Sequence, residues 1–139
     1  MIEDSEIIKE VESWVGTPWV HGQSLKGIGT DCIRFVLSIG KKFNMVSIDY
    51  IPPTYNQDWA LHNKISILEQ EIQNFACKVG PPFKIGDILL FVYGQCASHA
   101  GIYIGDDTMV HAYRRAGVVK SSIKHDIRNF HSAWRVKGN

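Results

Sequence analysis

The sequence has almost no net charge and few cysteines, and both deficits exclude classes of protein. Its 139 residues carry 15 Lys and Arg against 14 Asp and Glu, a formal charge of +1. Binding to nucleic acid through bulk electrostatics needs a larger positive excess, so we expect no nucleic-acid partner. The three cysteines, Cys32, Cys77 and Cys96, are odd in number and far apart, which argues against a disulfide framework. With 45% hydrophobic residues, the chain is too apolar for intrinsic disorder and can bury one core without a disulfide or a metal.

Long apolar runs are also missing. No stretch approaches the roughly 18 apolar residues that a membrane span needs. The first six residues, M-I-E-D-S-E, are acidic where a signal peptide is basic, and no apolar segment follows them. We therefore predict a single domain of residues 1–139 that is cytoplasmic as synthesised, or that separate machinery delivers elsewhere.

Apolar spacing predicts three helices in the first part of the chain. Apolar residues recur every three or four positions across residues 7–15, as in an amphipathic helix. Residues 32–43 are apolar nearly all round, which predicts a central, buried helix capped by Thr30 or Asp31. Residues 61–75 carry apolar side chains on one face and predict the third helix.

The second part of the chain changes to short β-rich runs after Gly86 and Asp87. The runs are residues 88–93, 101–104, 109–113, 118–120 and 134–136. Gly105, Asp106 and Asp107, between the second and third runs, predict a hairpin turn. Helices first and an antiparallel sheet second predict an α+β fold in which the N-terminal helices pack on a small sheet.

The charge is unevenly distributed along the chain. Residues 1–15 carry five acids and one base, whereas residues 112–139 carry seven bases against Asp126 alone. A basic segment attracts anionic partners such as cell-wall polymer or peptide carboxylates, although a solvated basic face is the simpler interpretation. No nucleic-acid recognition motif accompanies the segment.

Three residues form a pattern of nucleophilic catalysis. Cys32 opens the predicted buried helix, where free N–H groups and the positive end of the helix dipole favour a thiolate. His99 lies at the start of a strand and can hold the thiolate as an ion pair and later protonate a leaving amine. His111, on the next strand, can orient His99 if the two strands pair across the predicted turn. The N–H of Cys32 and a donor from the Trp19 loop would form an oxyanion hole.

Other roles for these residues stay open. A single cysteine at the start of an apolar helix is often a small buried hydrophobe, and a single histidine before a strand is often a capping group. Cys32, His99 and His111 could also bind zinc together with a water molecule. We rank zinc below the nucleophile, because a thiol at a helix start needs no metal for activation, and we predict no cofactor. Cys77 is expected in the core and Cys96 in an exposed loop.

Four blocks of sequence resemble the NlpC-like cell-wall cysteine peptidases, compact members of the papain-like clan. The blocks are G-T-P-W-V-H-G (16–22), T-D-C-I-R-F-V (30–36), K-I-G-D-I-L-L-F (84–91) and S-H-A-G-I-Y-I-G-D-D-T-M-V-H-A (98–112). They follow the family's order, and the last, with its two histidines twelve residues apart, is the most specific. The resemblance implies a papain-like fold with the nucleophile at the N-terminus of a buried helix. Cys32 would be the nucleophile, His99 the general base and acid, and His111 the residue that orients His99.

The resemblance also implies substrate-binding residues around the nucleophile. Trp19 stands where the family usually carries a tyrosine that lines the site. Asp31 stands where the family has an aspartate that helps to bind the substrate's free amine. Ile33 and Arg34 replace the family's Ser-Gly, whose serine helps to recognise a D-glutamyl substrate. We therefore expect Trp19, Asp31, Ile33 and Arg34 to shape the specificity pocket.

Together these observations predict a cysteine peptidase or amidase that hydrolyses amide bonds in peptidoglycan stem peptides through a thioacyl-enzyme. A phage or prophage tail, or a secretion system, would bring such a protein to the cell wall and would be its partner. The same fold could instead catalyse deamidation or acyl transfer on another amide, because Ile33 and Arg34 alter the pocket wall. A second alternative is an inactive binding or assembly module. Residues 44–83 match nothing in the resemblance.

Overall fold

The computed structural model describes residues 2–62 and 64–137 and places helices against an antiparallel sheet. The helices are α1 (Asp4–Glu12), α2 (Cys32–Lys42), α3 (Trp59–His62) and α4 (Ile67–Ile72). The strands are β1 (Ser24–Leu25), β2 (Gly29–Thr30), β3 (Ala76–Val79), β4 (Ile88–Val92), β5 (Ala97–Gly105), β6 (Thr108–Tyr113), β7 (Gly117–Ser122) and β8 (Phe130–Val136). A 3-10 helix (Ile123–Asn129) joins β7 to β8. The predicted α+β fold is confirmed.

The main sheet has six strands in the order β3-β8-β4-β5-β6-β7, and each neighbouring pair is antiparallel. β4, β5, β6 and β7 follow one another in both sequence and space. β8 returns between β3 and β4, so β3 forms the edge of the sheet opposite β7. β1 and β2 form a small separate ribbon that leads directly into α2.

Helix α2 is the buried central helix that the sequence predicts. Asp31 is its N-cap, with Oδ1 accepting a hydrogen bond from the Arg34 N–H at 2.8 Å. Phe35 is fully buried, and Val36 and Ile39 are nearly so. The helix contacts β5 and β6, the two strands that carry the predicted catalytic histidines. The cap therefore fixes the position of Cys32 relative to the sheet.

The core lies on both faces of the sheet because strand side chains alternate. Leu90, Ile102 and Val110 pack with the helices in the larger cluster. Leu89 and Phe91 point to the opposite face and form a smaller cluster with Met109 and Ala133. The smaller cluster is covered by aromatic side chains, which are Phe83, Tyr103 and Phe130. The sheet is thus covered on both faces around the strands that hold the site.

The predicted single helix over residues 61–75 is wrong. The structure has α3, a break, and then α4, and Ile65 in the break is 66% exposed. Ser66 starts α4 as a new helix, because its hydroxyl accepts the Glu69 N–H at 2.9 Å. The chain then turns into β3, where Cys77 is exposed, whereas Cys96 is buried, so both cysteine expectations are also wrong. The side chain of Leu61 lies outside the described residues.

No helix in the two described ranges combines the length and apolar character required to cross a membrane.

An ion pair between the buried Asp87 and Arg135 joins the start of β4 to the neighbouring strand β8. The Asp87 carboxylate is 1% exposed and receives both arms of the Arg135 guanidinium, at 2.9 Å and 2.8 Å. It also accepts the Lys84 N–H at 2.8 Å. Paired, bidentate geometry of this kind compensates for the cost of burying the carboxylate.

We expect Asp87→Ala to lower the free energy of unfolding by about 2 kcal/mol, because the Lys84 N–H and the Arg135 guanidinium lose the buried carboxylate that accepts their hydrogen bonds. Chemical denaturation of the purified protein measures the change. Glu12→Ala is the control, since Glu12 and Lys120 form an exposed pair that is worth less than about 1 kcal/mol. Equal losses in the two variants would contradict a structural role for the buried pair.

Candidate active site

The structure brings Cys32, His99 and His111 together at one end of the sheet. Cys32 is the first residue of α2, and its Sγ lies 3.5 Å from the Ser98 carbonyl oxygen. Cys32 and His99 line the same cleft, which has a volume of about 320 Å³. His111 lies behind His99, with its Nδ1 2.7 Å from His99 Nε2. In space, the thiol comes first, followed by the imidazole of His99 and then by the imidazole of His111.

The pairing of β5 with β6 places the two imidazoles side by side. Gly101 lies directly opposite His111, and Ile102 lies opposite Val110, as the predicted hairpin requires. His99 is two residues before Gly101, so its side chain projects from the same face as that of His111. A Cβ at Gly101 would lie 2.6 Å from Met109 Sδ and 3.4 Å from His111 Cβ. Glycine therefore leaves the space in which His111 approaches His99.

A hydroxyl that the sequence analysis missed completes the hydrogen-bonded chain. Ser121 Oγ on β7 lies 2.8 Å from His111 Nε2. Two arrangements of neutral tautomers satisfy both contacts, because the Ser121 hydroxyl can accept or donate. In the arrangement that leaves a lone pair on His99 Nδ1, His99 Nε2–H donates to His111 Nδ1, and His111 Nε2–H donates to Ser121. Ser121 carries no signal in its own sequence context, because its role arises only from the register of β6 with β7.

Burial dominates the protonation state of the thiol and its neighbouring imidazole. Burial, and then the negative charge of Asp31, raise the pKa of the Cys32 thiol to about 12. Backbone N–H groups of Ala100, Ile33 and Cys32 act in the opposite direction with smaller effect. Burial, and then the neighbouring His111, lower the pKa of His99 to about 3. Near neutral pH the resting site therefore holds a thiol and an uncharged imidazole.

The sequence expectation of a resting thiolate is therefore not met. The helix N-terminus does supply the expected N–H groups, but they only partly offset the burial of the sulfur. The cap residue Asp31, which organises the same helix end, adds a negative charge close to Cys32. In the arrangement that leaves a lone pair on His99 Nδ1, this nitrogen can accept a proton.

Asp126 and Tyr93 flank the histidine pair and were not found from the sequence. The Tyr93 ring packs edge-on to His99, with ring centres 5.7 Å apart. The Tyr93 hydroxyl donates a hydrogen bond to Asp126, and burial together with this carboxylate raises the pKa of Tyr93. Burial lowers the pKa of His111, and the negative charge of Asp126 opposes that shift. Asp126 is thus the carboxylate that favours positive charge on the pair.

Asp31 is occupied by its own chain and does not line the cleft. Its side chain is 5% exposed. Besides capping α2, its Oδ2 accepts the Gly22 N–H at 2.7 Å and the Tyr55 hydroxyl at 2.6 Å. Tyr55 belongs to the segment for which the sequence offered no match. A substrate-binding role for Asp31 stays a prediction.

Of the other predicted substrate-binding residues, only Trp19 lines the cleft. Ile33 is 6% exposed and packs in the core. Arg34 is half-buried beside Tyr55, and its Nε is buried with no hydrogen-bond partner among the described residues. The pocket wall that Ile33 and Arg34 were expected to alter is instead formed by residues 57–60, 93–94 and 112–114. Ile33 and Arg34, which were the reason to consider deamidation or acyl transfer, therefore do not line the cleft.

The geometry does not favour zinc at the three residues. Within residues 2–62 and 64–137, no three His, Cys, Asp or Glu side chains are arranged as metal ligands. His99 Nε2 and His111 Nδ1 point at each other, so this pair of nitrogens forms a hydrogen bond rather than converging on a third point.

We expect the free energy of unfolding to fall as the pH falls below about 6.5, because His99 and His111 gain protons on unfolding that they do not bind in the folded state. The slope is about 1.4 kcal/mol per pH unit for each proton. In urea titrations between pH 6 and pH 4, His99→Gln should reduce the dependence of the free energy of unfolding on pH by the amount that one proton contributes.

His125→Gln is the matched control, because it removes an exposed imidazole and leaves the pair of His99 and His111 in place. An unchanged slope in His99→Gln would show that His99 does not remain uncharged in the folded protein.

Three comparisons relate the chain to known proteins. Residues 16–135 match the sequence profile of the NlpC/P60 family, a range that contains all four blocks and confirms the resemblance. The chain is 30% identical over 125 residues to the gamma-DL-glutamyl hydrolase of Bacillus subtilis strain 168, covering 88% of this chain and 26% of that protein. It is 28% identical over 134 residues to the murein DD-endopeptidase MepS/murein LD-carboxypeptidase of Escherichia coli strain K12, covering 95% and 62%. The chain thus spans only part of either relative.

A solved structure shows the same fold. An NlpC/P60 family protein from Bacillus cereus ATCC 10987 superposes with a TM-score of 0.68 at 20% identity, covering 97% of this chain and 40% of that chain. The match extends from α1 to β8, so the predicted NlpC-type fold is confirmed.

Proposed function

Because the chain belongs to the NlpC/P60 family, we propose that it is a cysteine peptidase or amidase that hydrolyses amide bonds in peptidoglycan peptides. The observation that carries the proposal is a cleft lined by both Cys32 and His99, with His111 and Ser121 in hydrogen-bonded series behind His99. One relative named above is a murein endopeptidase, which supports an amide of the cell wall as the substrate. The other is a gamma-DL-glutamyl hydrolase, which supports hydrolysis as the reaction. Delivery by a phage tail or a secretion system stays a prediction.

In the proposed first step, Cys32 Sγ attacks the carbonyl carbon of the amide while its proton passes to His99 Nδ1. The carbonyl oxygen gains the negative charge. The N–H groups at the start of α2 lie beside the sulfur, where they can stabilise this oxyanion. The C–N bond then breaks, and His99 returns the proton to the departing amine. The product of this step is a thioacyl-enzyme at Cys32.

In the proposed second step, His99 takes a proton from water and the hydroxide adds to the thioester carbonyl. The C–S bond breaks, the acid product leaves, and the sulfur regains its proton through His99. His111 holds His99 in the tautomer that keeps Nδ1 basic, and Ser121 holds His111. When His99 carries a positive charge during either step, His111 contacts its Nε2, and the negative charge of Asp126 favours positive charge on His111.

We expect Cys32→Ala to lose peptidoglycan cleavage by at least about a thousand-fold, because it removes the nucleophile. The measurement is digestion of purified peptidoglycan with the products identified by mass spectrometry. Cys77→Ala is the control: Cys77 is exposed on β3 and outside the cleft lining, so this variant should keep full activity. Product release by both wild type and Cys32→Ala, or by neither, would refute the proposal.

We expect Ser121→Ala to lower kcat about ten-fold with little change in KM, because His111 loses the acceptor that fixes its tautomer. Ser121→Thr keeps a hydroxyl and should restore most of the activity. Steady-state kinetics on a soluble peptidoglycan fragment separate the two constants. If alanine and threonine variants both match the wild type, Ser121 has no positioning role.

A further inference from the structure

An arginine and an aspartate face each other across the mouth of the cleft. Arg114 lies in the turn between β6 and β7, and Asp58 immediately precedes α3. Arg114 Nη1 and Asp58 Oδ1 are 3.5 Å apart, and the two side chains are 53% and 50% exposed. A pair that is this long and this exposed contributes between 0 and about 1 kcal/mol. Arg114 can therefore exchange the Asp58 carboxylate for that of another molecule.

Arg114 is also stacked on an aromatic ring of the cleft. Its guanidinium carbon lies 5.2 Å from the centre of the Trp19 ring. Trp19, Arg114 and Cys32 all line the same cleft. A guanidinium on an aromatic face keeps its planar row of N–H donors directed sideways, where a carboxylate can accept two hydrogen bonds at once. The contact to Asp58 uses only one nitrogen of that group.

Backbone contacts hold the Trp19 loop against the start of β7, just beyond the Arg114 turn. The Val118 N–H donates to the Thr17 carbonyl at 2.8 Å, and the Gly16 N–H donates to the Val118 carbonyl at 2.9 Å. Gly117 has φ +77, and a Cβ there would lie 2.4 Å from the Thr17 oxygen. The close approach thus depends on glycine. Because the backbone is fixed on both sides, the stack of Arg114 on Trp19 is prepared before any ligand binds.

The opposite side of the cleft is equally well supported. The Gln95 N–H donates to the Ala60 carbonyl at 2.8 Å, which attaches α3 to the turn between β4 and β5. Gly94 permits this contact, because a Cβ there would lie 2.7 Å from the same carbonyl oxygen. Asp58 therefore reaches Arg114 from a fixed support. Among the described residues that line the cleft, Arg114 supplies the cationic side chain and Asp58 the carboxylate.

We propose that Arg114 binds a free carboxylate on the acyl part of the substrate and that Asp58 occupies this position as an intramolecular substitute. The inference rests on the proposed function, because it defines the substrate of Cys32 as an amide that also carries a carboxylate. The cleft volume of about 320 Å³ is at the small end of ligand pockets, so the carboxylate and the amide belong to one compact group. Arg114 determines specificity and takes no part in bond cleavage.

The test uses two alkylating reagents of similar size that differ in charge. Iodoacetate carries a carboxylate, whereas iodoacetamide carries a neutral amide, and both transfer their carbon to sulfur with release of iodide. Peptide mass spectrometry after reaction at pH 8.5 gives the rate ratio, iodoacetate over iodoacetamide, at Cys32. The ratio at Cys77, which is exposed and outside the cleft lining, is the internal reference in the same sample.

We expect Arg114→Gln to lower the normalised ratio at Cys32 about five-fold or more, since the charge interaction is worth about 1 kcal/mol. Arg115→Gln removes the same charge from the adjacent, exposed residue and should leave the ratio unchanged. Asp58→Asn removes the competing carboxylate and should raise the ratio. Equal ratios in wild type and Arg114→Gln, or equal losses in Arg114→Gln and Arg115→Gln, overturn the proposal.

A second measurement does not depend on the reactivity of the sulfur. NMR titration of Cys32→Ala protein with succinamate and with succinamide compares an amide that has a free carboxylate with its neutral counterpart. We expect tighter binding of succinamate, and loss of the difference when Arg114→Gln is added. Equal binding, or no binding of either compound at millimolar concentration, overturns the proposal. If the titration shows selectivity for the carboxylate but the wild-type protein does not cleave peptidoglycan, the proposed function is refuted and the role of Arg114 in binding a carboxylate is retained.

Discussion

The register between β5 and β6 is the constraint on which the candidate site depends. Strand side chains alternate between faces, so a shift of one residue would turn His111 away from His99. The turn fixes that register, because Asp106 and Asp107 both have positive φ, 51 and 55, as the tightest hairpins require. Gly101 then leaves room for the side chain of Met109 beside His111. A short local turn thus determines a hydrogen bond that spans two strands.

Burial of the site shapes its chemistry more strongly than the helix end does. An ion pair of thiolate and imidazolium would place two charges where protein atoms exclude most of the water, and the cap carboxylate of Asp31 opposes the thiolate further. The neutral pair avoids this cost at rest. In the mechanism that we propose, proton transfer is coupled to the attack on the substrate, so the positive charge on His99 exists only when a compensating negative charge forms on the substrate. His111 contacts His99 from behind, and Asp126 favours positive charge on His111.

Local signals in the sequence predicted the elements that hold the chemistry. The apolar run after Asp31 predicted α2, and the Gly-Asp-Asp turn predicted the hairpin, because both features depend on neighbours in sequence. Features that depend on distant contacts were missed. Tyr55 reaches Asp31 across 24 residues, and Ser121 reaches His111 only through the pairing of β6 with β7. The predicted helix across residues 61–75 failed for a related reason: Ser66 caps a new helix and also donates to the Ala97 carbonyl of β5, so tertiary contact overrides the apolar periodicity.

The charge pattern of the sequence changes its meaning once the chain is folded. Residues 112–139 are strongly basic in sequence, but several of their cations meet carboxylates from earlier segments. Lys120 pairs with Glu12 of α1, and Arg135 pairs with the buried Asp87. Part of the basic segment is thus neutralised within the fold, which weakens a general attraction to anionic polymer. Arg114 differs because its partner, Asp58, lies at the cleft and is only loosely bound. If the cleft binds an anionic substrate, as we propose, recognition depends on where one cation lies relative to Cys32 more than on the net charge of the segment.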